Sequence, residues 1–209
     1  MKRFVLELKI AGINFFLVTA AVSLALLIFA AVAGPLLDFA PIAFEVLLPF
    51  YAAIAVGEWG RTRADSSFEA IAAQSRSRFF WTLCRSASVL TVVSLFAVTT
   101  MALAVLIRRE LPFPTLLALY FPTAFFFSSL AVLVGSVSPQ EHTATLVCGL
   151  FWLIALLTRS LLRLPGVEFV YPFLCFAGDV HGVWVWNKAI QTAMGAALWV
   201  AAWAYCRKK

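Results

Sequence analysis

AGINFFLVTAAVSLALLIFAAVAGPLL, from Ala11 to Leu37, contains no charged residue. A helix needs about 20 apolar residues to cross the hydrocarbon core of a bilayer, so this run is long enough to span it. Lys2, Arg3 and Lys9 precede it and Ala31-Val32-Ala33 stands near its end, an arrangement that resembles a secretory signal. The run is longer than the apolar core of a signal peptide, which argues for an uncleaved span with an N-terminal interfacial helix before it.

The same pattern recurs along the chain. Phe39 to Gly57 is interrupted only by Glu45, and Ser86 to Ile107 carries no charge. Leu111 to Gln140 follows the polar break Arg108-Arg109-Glu110, with Pro112, Pro114 and Pro122 predicting a late start or a kink. A fifth run goes from Thr143 to Arg159 and Arg163, and a sixth from Ala189 to Cys206. The expected fold is all-α and integral to the membrane: one transmembrane domain over 1–209, with spans near 13–34, 39–57, 87–107, 114–137, 143–162 and 188–206. Leu164 to Lys188 fits neither a span nor a water-exposed loop. Its apolar stretch, Phe169 to Ala177, is too short to cross, so a re-entrant or interfacial outer segment is expected, with Trp184 and Trp186 at headgroup depth.

Composition agrees. Of 209 residues 63% are hydrophobic and 12% charged, with a mean hydropathy of +0.96, whereas soluble domains carry about a quarter charged residues. The net charge of +6 does not point to nucleic acid, because no soluble basic domain exists to present a phosphate-binding face. The basic residues flank apolar runs instead. With an even number of spans, Lys2, Arg3, Lys9, Arg61, Arg63, Arg76, Arg78, Arg85, Arg207, Lys208 and Lys209 fall on one side, and Arg108, Arg109, Arg159, Arg163 and Lys188 on the other. The richer side is the cytoplasmic one, which places both termini and the stretch from Glu58 to Arg85 inside.

Cys84, Cys148, Cys175 and Cys206 show no CxxC spacing, so packing is expected of them and no metal site or disulfide framework. His142 and His181 fall on opposite sides in a six-span arrangement, which excludes a shared metal site or dyad.

The polar stretch carries the most informative local pattern. Ser66-Ser67-Phe68-Glu69 reads as a capping box, in which the Ser66 hydroxyl and the Glu69 carboxylate satisfy each other's backbone amides and start a short helix. Phe68, Ile71 and Ala72 share one face of that helix, which either lies on the membrane or meets a partner protein. Ser138-Pro139-Gln140-Glu141 reads as a second box that would begin the fifth helix. No lysine follows a glycine anywhere in the chain, so the GxxxxGK[ST] phosphate loop is absent, and ATP, if it drives this protein, binds elsewhere.

Glu58, Ser66-Ser67-Phe68-Glu69, Arg76-Ser77-Arg78 and Arg85 after the second run resemble the pattern of type-2 ABC (ATP-binding cassette) transporter permeases. Tyr171-Pro172-Phe173, the following Trp-containing stretch, Asn187 and the basic end are similar to that family's final outer segment and last helix. Gln74 stands where the family has proline, and Ser66-Ser67 replaces Gly-Thr. The resemblance implies a permease subunit of an exporter in a prokaryotic cell membrane. It would be paired with a second copy or a similar subunit, surrounded by lipid, and driven by two cytoplasmic ATPases that hold ATP and Mg. It makes the Ser67 to Ala73 helix a coupling helix, with Ser66, Phe68, Glu69, Ile71, Arg76 and Arg78 at the ATPase contact.

Glu45 within a span is costly and marks a pathway contact, a pairing with Arg159, or a site near the outer surface. Arg159 and Arg163, four apart, would share a face of the fifth helix and snorkel to headgroups or meet an anion. Two other classes compete with transport: an intramembrane hydrolase using Ser136 or Ser138 with His142, and a non-transporting anchor or regulatory subunit.

Overall fold

The computed structural model describes residues 2–32, 42–60, 78–107, 112–138, 140, 142–176 and 182–207. These form α1 (Lys2–Val32), a π-helix (Ile42–Leu47) running into α2 (Leu48–Trp59), α3 (Arg78–Ile107), α4 (Phe113–Val137), α5 (Thr143–Leu157) and α6 (Trp184–Arg207). Three short 3₁₀ turns, Arg159–Arg163, Val167–Phe169 and Leu174–Phe176, lie between α5 and α6. Among the described residues all regular structure is helical.

Five helices are long and apolar enough to cross a membrane: Ala11–Val32, Ile42–Trp59, Phe79–Ile107, Phe113–Val137 and Trp184–Arg207. α1 breaks at Gly12, whose φ of 76° and ψ of 169° are open to glycine, and this parts the basic start of the helix from its apolar run. Pro114 lies in the first turn of α4, where its missing N–H costs nothing, and Pro122 is carried inside the helix.

Three expectations change. α3 begins at Arg78, nine residues before the expected 87, because Phe79, Phe80, Trp81, Leu83 and Cys84 continue its apolar character between two arginines that are good helix formers. Arg85, which the sequence puts at the end of the polar stretch, in water or at the headgroups, is buried on this helix. The fifth run, expected to be helical over 143–162, ends as an α-helix at Leu157, after 15 residues. At about 1.5 Å per residue it falls short of a hydrocarbon core of about 30 Å. Thr158 turns to φ −92°, ψ 17° and the chain tightens into the 3₁₀ turn Arg159–Arg163.

The second capping box does not start α5 either. His142, at φ 61°, precedes the first helical residue Thr143, and the Ser138 hydroxyl accepts from the Gln140 amide at 3.3 Å while donating to Thr143 Oγ1 at 3.2 Å.

Successive helices alternate in direction. Phe15 near the start of the apolar part of α1 packs on Trp59 at the end of α2, Ser86 early in α3 donates to the Gly60 carbonyl, and Ser138 after α4 meets the first residue of α5. The bundle therefore has a Glu58 end, where α1, α3 and α5 start, and a Glu45 end, where α2, α4 and α6 start. α4 is the central element, packed mainly against α2 and α6, while α1 lies on α3. Gly195 lets α6 close on α4: a Cβ there would come within 2.7 Å of the Phe125 ring. α1 is tied to α2 by the Thr19 and Tyr51 hydroxyls, 2.7 Å apart.

Candidate functional site

The described residues between α5 and α6, 158–176 and 182–183, lie at the Glu45 end without long helical stretches. Pro165-Gly166, with Gly166 at φ 87°, turns the chain back, and Tyr171, Pro172, Phe173 and Leu174 are buried. Irregular backbone inside an apolar bundle must find hydrogen-bond partners, because each unpaired buried N–H or C=O costs roughly 1–3 kcal/mol. Side chains from α2, α4 and α6 supply them.

α6 contributes three residues from its first turns. Asn187 and Gln191, four apart and so on one face, are joined by the Gln191 amide donating to Asn187 Oδ1 at 2.7 Å. Asn187 Nδ2 donates to the carbonyls of Glu168 and Tyr171, both at 2.8 Å, and Gln191 Nε2 to those of Tyr171 at 3.2 Å and Pro172 at 3.1 Å. Lys188 Nζ donates to Thr123 Oγ1 of α4 at 2.9 Å and to Glu45 Oε1. The Thr123 hydroxyl reaches Gln191 Oε1 at 2.9 Å and the Leu119 carbonyl at 3.1 Å.

Glu45 is 0% exposed and Lys188 5%. Besides the ammonium, the carboxylate accepts the amides of Leu174 at 3.1 Å and Cys175 at 2.7 Å. Glu45 belongs to the π-helix, an element often found at functional sites, and the next residue's carbonyl, that of Val46, accepts from Trp152 Nε1 at 3.2 Å. Taking two charges out of water is costly, and the pair is supported by further bonds, since the ammonium also donates to Thr123 and the carboxylate also accepts two amides. Phe173 fixes the segment from its apolar side, stacked on Phe127 of α4 at 5.7 Å and 8°. The Tyr171 hydroxyl donates to the Ala155 carbonyl near the end of α5.

Chemically, this arrangement holds opposite charges and irregular backbone together. With three donors on its carboxylate, Glu45 is placed to bind, not to abstract a proton. Its partner is Lys188 and not Arg159: Arg159 and Arg163 are exposed on the 3₁₀ turn after α5, where a three-residue period removes the shared face that an α-helix would give them. The sequence reading missed Lys188 because it was counted as a loop charge. The signal available was a buried-charge rule, by which a lone carboxylate in one span calls for a cation in another.

At the Glu58 end a second polar group forms. His142 Nδ1 lies 2.8 Å from Glu58 Oε2, and the Thr145 hydroxyl donates to Glu58 Oε1. Gly57 allows this approach, since a Cβ there would meet Thr145 Oγ1 at 3.1 Å. Ser136 donates to the Val132 carbonyl at 2.8 Å and Ser138 to Thr143, so neither hydroxyl is bonded to His142. Ser66, Phe68, Glu69, Ile71, Arg76 and His181 lie outside the described residues, and Arg78 is the first residue of α3. Among the described residues no cluster of metal-binding side chains occurs, and all four cysteines are free thiols. Set against protein-family profiles, curated proteins and solved structures, the chain matches none.

Proposed function

We propose that this chain is the membrane-spanning permease subunit of an ATP-driven ABC exporter, crossing a prokaryotic cell membrane six times with both termini in the cytoplasm. In this reading α5 and the 3₁₀ segment after it together make the fifth crossing. One observation carries the reading. The chain leaves α2 at Gly60 and enters α3 at Arg78 at a single end of the bundle, where Ser86 donates to the Gly60 carbonyl at 3.5 Å. Gly60 and Arg78, which flank the Ser66-Ser67-Phe68-Glu69 box in sequence, therefore lie at the end that the positive-inside rule assigns to the cytoplasm.

In this reading the stretch between Gly60 and Arg78 is offered to a cytoplasmic ATPase. Force on it is delivered to α2 and α3 together, and α2 carries it across the bundle to Glu45 at the far end. Two such chains, or this chain and a similar one, enclose the path, and the ATPases supply the chemistry.

Purification from the native membrane in mild detergent, followed by mass identification, is expected to recover an ATPase subunit carrying the phosphate loop. Changing Glu69 and Arg78 to alanine is expected to leave the chain inserted and to lose that ATPase. Recovery of the chain without any ATPase, or undiminished recovery with the double variant, removes the coupling assignment.

A further inference from the structure

We infer that residues 167–175 form a lid that lifts from the Glu45 end as one unit, and that Glu45 and Lys188 are its latch. Among the described residues no backbone-to-backbone hydrogen bond joins this segment to a long helix. Its carbonyls at Glu168, Tyr171 and Pro172 and its amides at Leu174 and Cys175 are held by the side chains of Asn187, Gln191 and Glu45. The lid can therefore leave without breaking a helical ladder, and water can take over every bond it gives up.

Three further features fit a moving part. Gly166, at φ 87°, and Gly182 flank the segment, and a Cβ at either would meet nothing within 4 Å, so both ends have room to turn. The π-helix around Glu45 is a local irregularity that a register change can absorb. Two of the six side-chain bonds to the lid backbone come from one charge pair, in which Lys188 fixes the carboxylate and the carboxylate fixes the Leu174 and Cys175 amides. Lifting the lid uncovers Glu45, Thr123, Lys188 and Gln191 together, and withdraws Phe173 from Phe127. The inference stands whether or not an ATPase docks at the other end.

Hydrogen exchange of the full chain in lipid nanodiscs, read by mass spectrometry, tests it. In the unaltered protein the Leu174 and Cys175 amides are expected to exchange at one shared rate, at least about tenfold faster than the amides of Ala124 to Val132 in α4 yet slower than unprotected backbone. Lys188→Met is expected to accelerate the two lid amides at least about tenfold more than it accelerates α4, and Lys188→Arg, which keeps the charge and the donors, to leave both near the original rate. Unprotected lid amides, or lid amides as slow as α4, overturn the lid. Equal acceleration of α4 and the lid in Lys188→Met overturns the latch, because it shows the pair supporting the whole bundle.

Discussion

The two ends of the bundle each bring an acidic residue of the second crossing against a basic one, and they do so under opposite conditions. Glu45 is fully buried, with an ammonium and two amides on its carboxylate. Glu58 meets a histidine that is 66% exposed. Coulomb attraction is several times stronger where water is excluded, and so is the penalty for leaving one partner alone. The difference teaches that the Glu45 end is organised by polar satisfaction, since its backbone has no other partners, whereas the Glu58 end is organised by helix packing at Gly57 with the Glu58–His142 hydrogen bond added on top.

If that contrast is right, the largest effect belongs to Glu45→Ala, which strands Lys188 and the Leu174 and Cys175 amides. A loss of about 3–5 kcal/mol is expected, seen as collapse of the monodisperse species in heated detergent extracts. Replacing both charges, Glu45→Leu with Lys188→Met, is expected to recover part of that loss and not all of it, because the two lid amides remain unmet. A double variant no better than Glu45→Ala would show that the stranded ammonium is not the main cost.

Phe173→Ala comes next, at about 3–5 kcal/mol if the cavity beside Phe127 stays open and less if the lid settles into it. Gln191→Ala deprives two carbonyls of a donor and is expected to cost about 1–3 kcal/mol in the same thermal assay. His142→Ala should change stability by less than about 1 kcal/mol, as exposed pairs do. A loss at His142 equal to that at Gln191 would break the comparison between the ends.

Much of the fold was readable before any coordinates, because the signal was strong and one-dimensional. Four of the five candidate spans lie within a few residues of where charge-free runs put them. The third starts earlier because Arg78 and Arg85 bracket apolar residues, and a helix accepts such charges where charge counting sees a boundary. α5 was over-extended because Arg159 marks where charge appears, whereas the helix had already ended at Leu157 through backbone geometry. The coupling pattern of Ser66 to Arg78 remains a reading of sequence, carried by local spacing and by resemblance.

The site was legible only in half. Glu45 stood out as a charge in a span, since that cost is visible from neighbours in the chain. Its attachment to Lys188, 143 positions away, was not, nor was the role of Asn187 and Gln191 as donors to carbonyls of the outer segment.

The sequence by itself determined that the chain belongs in lipid, roughly where its helices run, and that a lone carboxylate must be met by something. Which cation met it, where α5 stopped, and how a non-helical segment could be buried were decided by tertiary structure. The physical reason is range: burial of apolar surface and helix formation are set by near neighbours, while satisfaction of a buried charge depends on which distant side chain the packing of α2, α4 and α6 brings within hydrogen-bond distance.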